Sequence, residues 1–67
     1  MNIETIEQKT ARSSDKLEMA KRYLEQAMSP DTDEKVRLWL LNEAKGLFSE
    51  ARDLTDEVEK GLSAFRR

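Results

Sequence analysis

The second half of the chain carries a dense group of carboxylates whose spacing could support metal binding or proton transfer. On a helix, Glu50, Asp53 and Glu57 fall three and four residues apart and share one face. Carboxylates that hold metals in four-helix proteins point into the bundle and are accompanied by His. The chain has no His and no Cys, and these acids lie on the polar side of their helix. We therefore interpret them as a solvated acidic face, and we predict no catalytic residue, no metal, no cofactor and no enzymatic activity.

A row of basic residues in the first half offers a different chemistry. Lys9, Arg12 and Lys16 follow one another at helical spacing, beside the hydroxyls of Thr10 and Ser13. Such a row could hold the phosphates of RNA or a small anionic ligand, with the hydroxyls adding hydrogen bonds. The same row could be a solvated flank paired with neighbouring acids, and no aromatic side chains are interleaved with it to stack on bases. Binding of RNA or an anionic ligand through these five residues is the alternative functional hypothesis.

Thr10 and Ser13 interrupt an otherwise apolar seam, which leaves three interpretations open. The two hydroxyls could line a ligand pocket in a helical bundle. They could bond to their own helix where it leaves the core. They could also set the register of the helices as a buried polar layer.

The apolar hexamer VRLWLL, residues 36–41, holds the only Trp of a chain that is 39% charged. A surface helix needs apolar groups on one stripe only. On a helical wheel Leu38 lies well off the core direction, and Trp39 lies on the far side of the helix. Trp39 could cover the loop or pack at an end of a dimer. Alternatively, the two residues could anchor a protein partner, since aromatic anchors dominate interface energetics. Leu38 and Trp39 are therefore the predicted partner-binding residues.

The elements that carry these residues are two helices in a single domain spanning residues 1–67. Apolar residues recur at helical spacing, and Gly and Pro are nearly absent, which predicts an all-α chain. Pro30 disfavours helical geometry at Ser29, and Asp31 with Glu34 resembles a capping box. We predict helix 1 at about 3–28, a turn at 29–31 and helix 2 at about 32–65, forming an antiparallel helical hairpin. Asp33 and Arg37 are spaced for an ion pair within helix 2.

Two helices cannot enclose a core by themselves. Helix 1 carries one apolar seam, whereas helix 2 carries a wider stripe in which two neighbouring seams overlap, so helix 2 should contact two neighbours. A core of this size is marginal, and self-assembly is one way to support it. The simplest way to cover the exposed apolar stripe is a second copy of the chain, which would give a homodimeric four-helix bundle. Alternatively, a different protein could fill the same groove.

Composition narrows the function classes further. The net charge of −2 gives no overall field for nucleic acid or anionic membrane, and no apolar run approaches the ~20 residues of a membrane span. The opening residues lack the apolar stretch of a signal peptide, so we expect a cytoplasmic chain. In length, hairpin order and turn position the chain resembles plasmid copy-control proteins that dimerise to bind RNA loops, and co-chaperones of type III secretion needle subunits. We predict a non-enzymatic interaction or regulatory module of the inhibitor, adaptor or small co-chaperone type.

Overall fold

The protein is an antiparallel pair of helices. The computed structural model describes residues 2–65, and Met1, Arg66 and Arg67 lie outside that range. Helix α1 spans Ile3–Ala27 and helix α2 spans Glu34–Phe65, and the two pack against each other along their length. The pair measures 52 × 14 × 12 Å. The predicted all-α helical hairpin is confirmed.

Helix α1 begins at a capping residue and runs without a break. The side chain of Asn2 accepts a hydrogen bond from the backbone N–H of Thr5 at 2.8 Å, which satisfies one of the N–H groups that the first turn leaves free. The helix continues through Ser13 and Ser14, because the hydroxyl of Ser13 bonds to the opposite helix and does not compete for its own backbone.

The turn is organised by two side chains, and it delays the start of α2. The Thr32 hydroxyl donates to the carbonyl of Gln26 at 2.6 Å. The guanidinium of Arg37 donates to the carbonyls of Ala27 at 2.7 Å and of Ser29 and Thr32 at 3.3 Å each. Helix α2 starts at Glu34, two residues after the approximate start expected from the sequence.

Two local predictions about the start of α2 are wrong. The first bond of the helix runs from the Arg37 N–H to the Asp33 carbonyl at 2.8 Å, so Asp31 lies outside the helix and cannot form the predicted capping box with Glu34. The Arg37 side chain serves the turn carbonyls and does not form the predicted ion pair with Asp33. The Ala27 carbonyl at the end of α1 lacks a helical partner, and a guanidinium with five donors can satisfy it together with the turn carbonyls of Ser29 and Thr32.

The interface between the helices is built from small side chains. On α1, every seventh residue is buried, and these residues are Ile6, Ser13, Ala20 and Ala27. On α2, the buried residues are Leu40, Ala44, Ala51 and Gly61. Side chains of this size allow two helices to approach at the short end of the usual 8–10 Å. The core is consequently thin, and within residues 2–65 no large side chain is completely buried.

Neither helix, as far as residues 2–65 describe them, is long and apolar enough to cross a membrane.

Candidate interaction surfaces

One side of the hairpin carries an apolar strip that runs from end to end. It comprises two columns with a spacing of seven residues, one on each helix. The residues of this open apolar face are Ile3, Thr10, Leu17 and Leu24 on α1, and Leu41, Phe48, Thr55 and Leu62 on α2. Apart from Leu24, which is half-buried, its large apolar members are more than 40% exposed.

The register of the two helices pairs these columns layer by layer. The Lys9 amine lies 2.9 Å from the Glu57 carboxylate, and the Lys16 amine lies 2.6 Å from the Glu50 carboxylate. This register sets Ile3 opposite Leu62 at one end of the face and Leu24 opposite Leu41 at the other. The two middle layers are Thr10 with Thr55, which is small, and Leu17 with Phe48, which is large.

A shallow apolar groove of about 260 Å³ opens at the small layer. Its lining residues are Thr10, Ser13, Ser14, Leu17, Thr55 and Val58. The groove exists because hydroxyl side chains stand where the neighbouring layers carry Leu and Phe. Thr10 and Ser13 are both among the residues that line this groove.

The two seam hydroxyls also have separate hydrogen-bonding roles. The Thr10 hydroxyl donates to the Ile6 carbonyl of its own helix at 2.8 Å. Ser13 is 7% exposed, and its hydroxyl lies 3.2 Å from the Ala51 carbonyl and 3.1 Å from the Thr55 hydroxyl. Thr55 reaches the same carbonyl at 2.9 Å. Two hydroxyl protons serve these three contacts, so two of them are hydrogen bonds at any moment.

The opposite side, which we call the back face, is charged over the half that is remote from the turn. The ion pairs of Lys9 with Glu57 and of Lys16 with Glu50 both bridge the helices there. Exposed pairs of this kind contribute little stability, at most about 1 kcal/mol each. In these pairs, both lysines of the basic row have a carboxylate partner.

The residues of the alternative RNA or anionic-ligand site are therefore not brought together on one surface. Lys9 and Lys16 lie in ion pairs on the back face, with exposed Arg12 beside Lys16. Thr10 belongs to the open apolar face, and Ser13 is buried between the helices. The phosphate ligand that was hypothesised would meet acids at the lysines and could not reach the Ser13 hydroxyl from the same side.

The back face becomes apolar near the turn. The Tyr23 and Trp39 rings meet edge to face, with ring centroids 6.1 Å apart. Met19 stands four residues before Tyr23 and Val36 three residues before Trp39, so each shares a helix face with its aromatic neighbour. These four residues form what we call the turn-proximal patch; Met19, Val36 and Trp39 are exposed and Tyr23 is half-buried.

The structure separates the two predicted partner-binding residues. Trp39 is 55% exposed and belongs to the turn-proximal patch. Leu38 is also exposed, but consecutive residues of a helix are about 100° apart, and Leu38 borders the open apolar face next to Leu41. The sequence reasoning did not select Tyr23, the only Tyr of the chain. Its position three residues after Ala20 and four before Ala27, which belong to the small apolar seam of α1, was the signal that it would lie beside that seam.

Two residues of the acidic group of α2 are the carboxylate partners in the same ion pairs. Glu50 and Glu57 bind the two lysines, while Asp53 is exposed beside them. Across residues 2–65, no three acidic side chains converge in a way that could hold a metal ion.

Comparisons of the chain with protein-family models, with curated proteins and with solved structures found no match. The open apolar face and the turn-proximal patch are therefore the features from which a function can be inferred.

Proposed function

We propose that the protein is a non-enzymatic interaction module that regulates, masks or scaffolds another protein. In this proposal it assembles with itself into a four-helix bundle and presents the turn-proximal patch to its partner. The observation that carries the proposal is the amount of apolar surface that the hairpin leaves open while its own core consists largely of alanines. Contiguous apolar areas of this extent on small proteins mark interaction sites.

The composition of the turn-proximal patch supports a role in binding. Trp, Tyr and Met are enriched in protein interfaces, and Trp and Tyr are common among the residues that dominate binding energy. The rings of Trp39 and Tyr23 hold each other edge to face, so little side-chain freedom would be lost when a partner covers them. The ion pair of Lys16 and Glu50 lies next to the patch on the same face, in the position of the polar rim that surrounds the apolar centre of a protein interface. We propose the cytoplasm as the place of this interaction.

The experiment uses a partner isolated with the tagged full-length protein and then purified. Its Kd is measured by calorimetry for the unmodified protein, for Trp39→Ala and for Phe65→Ala. Phe65 is a matched control because it is also an aromatic residue with 55% exposure, located at the opposite end of α2. We expect Trp39→Ala to weaken binding at least ~30-fold, which corresponds to the ~2 kcal/mol of an interface hot spot, and Phe65→Ala to leave Kd within about threefold.

Unchanged affinity after Trp39→Ala, in a variant with an unaltered circular dichroism spectrum, would refute the turn-proximal patch as the binding site. A Kd that rises steeply with salt and responds to Arg12→Ala but not to Trp39→Ala would instead support the phosphate-binding alternative, because phosphate contacts are lost as salt increases. That alternative has less support, since Lys9 and Lys16 already have carboxylate partners.

A further inference from the structure

We infer that the open apolar face is covered by a second copy of the chain turned end for end, so that α1 lies on α1 and α2 lies on α2. The inference rests on the self-assembly proposed above and adds the face and the direction of the contact. Three properties of the face support it: its area, the small middle layer that lies next to a large one, and the order of charges along its two borders.

The area is adequate for a stable dimer. The hairpin is 52 Å long and 14 Å wide, so a face of that outline presents on the order of 700 Å² per copy and about 1,400 Å² for both, inside the range of specific interfaces. The strip is apolar except at the layer of Thr10 and Thr55, whose hydroxyls bond to backbone carbonyls of their own helices. A second copy would therefore bury the side chains that the alanine core leaves open.

The two middle layers of the face complement each other in size only when the copies run in opposite directions. The end-for-end arrangement places the small layer of Thr10 and Thr55 against the large layer of Leu17 and Phe48 of the second copy. The groove of about 260 Å³ at the small layer then receives the Phe48 ring, and the reciprocal contact forms by symmetry. Copies that run in the same direction would set Phe48 layers against each other and would leave the grooves unfilled.

Along the α1 border of the open apolar face, the charge changes from acidic to basic, so two antiparallel copies of this border bring opposite charges together. Glu7, Ser14 and Lys21 are exposed, are spaced seven residues apart and lie one step outward from the apolar column. Ser14 also lines the groove, which fixes the side on which this border lies. In the end-for-end arrangement, Ser14 lies at the centre against itself, and each Glu7 faces Lys21 of the second copy.

The border on α2 follows the same rule. Its exposed residues, which are also seven positions apart, are Lys45, Arg52 and Glu59. In the end-for-end arrangement each Lys45 faces Glu59 of the second copy. The two Arg52 side chains meet at the centre, which is one unfavourable contact. Copies running in the same direction would place the α1 border against the α2 border. That arrangement sets Glu7 against Glu59 and Lys21 against Lys45, which are like charges at both positions, and the charges therefore favour the end-for-end dimer.

The first test is a distance between the two turns. The chain has no Cys, so Asp31→Cys in the exposed turn gives a single attachment point for a spin label in the full-length protein. Double electron–electron resonance should report a separation close to the 52 Å length of the hairpin. A separation below about 25 Å, as expected for helices packed 8–10 Å apart and running in the same direction, would overturn the inference and leave self-assembly intact. A monomer without dipolar coupling would refute self-assembly itself.

The second test reverses charges on the α1 border, and the two arrangements predict opposite signs. Lys21→Glu converts two attractive contacts with Glu7 into repulsive ones, so the dimer Kd from sedimentation should rise roughly tenfold. The double variant Glu7→Lys with Lys21→Glu should return Kd to within about twofold of the original at low salt. Glu7→Lys alone reports on the same contact from the other side if Lys21→Glu folds poorly. Tighter association of either single variant would contradict the end-for-end arrangement.

Discussion

Removal of the Arg37 side chain should loosen the turn and lower the stability of the whole hairpin. The guanidinium donates to three carbonyls, and only the 2.7 Å bond to Ala27 is short, while the bonds to Ser29 and Thr32 are 3.3 Å. A hydrogen bond that involves a charged group contributes about 1.5–3 kcal/mol, and the long bonds add little because water replaces them. A cation near the C-terminus of α1 contributes a further 0.3–1 kcal/mol or so. We expect Arg37→Ala to lower the free energy of unfolding by about 2 kcal/mol.

The assay is urea denaturation followed by circular dichroism at a fixed protein concentration, because self-association would add to the apparent stability. Arg37→Lys keeps the charge and loses the planar donor geometry, so it should recover less than half of the loss. Arg22→Ala removes an exposed Arg from α1 that belongs to neither proposed interface and should change stability by no more than ~0.5 kcal/mol. If Arg37→Ala is as stable as Arg22→Ala, the turn is held by the backbone alone and the reasoning about Arg37 is wrong.

Two further predictions concern α2. Gly46 lies inside the helix with open space where a Cβ would project, so Gly46→Ala should raise the free energy of unfolding by about 0.5–1 kcal/mol in the same assay; a loss would reveal that another surface packs against that position. Trp39 is half exposed, so its fluorescence should be red-shifted and quenched by acrylamide. Trp39→Ala should cost about 1 kcal/mol from the edge contact with Tyr23, whereas a blue emission and a loss of ~3–5 kcal/mol would indicate a buried ring.

The hairpin could be predicted from the sequence because its causes are local. Helical periodicity and the restriction that Pro30 places on Ser29 act within a few residues of one another. The wide apolar stripe of α2 likewise predicted more contact surface than α1 alone covers. The bond from Arg37 to the Ala27 carbonyl was not predicted, because this contact exists only once the chain has turned.

The surfaces were less predictable because they depend on how the two helices align. Thr10 and Ser13 belong to one seam in the sequence, yet Ser13 is buried against Ala51 and Thr10 faces outward. Tyr23 can meet Trp39 only when the two helices align in the register that also brings Lys9 to Glu57. The helical repeat of a sequence shows which residues share one side of a helix, but it does not show what that side contacts. The register of the two helices and the side on which each column lies therefore cannot be read from either helix alone.

The mass of the protein in solution decides whether the hairpin is half of an assembly. Multi-angle light scattering on the full-length protein at about 20 μM, where an interface on the order of 1,400 Å² should hold two copies together, should give twice the 7.8 kDa of the chain. Phe48→Glu, which places a charge in the open apolar face, should give the mass of one chain while its helical circular dichroism signal persists. A well-folded protein of 7.8 kDa, with a sharp thermal transition at that concentration, would contradict self-assembly.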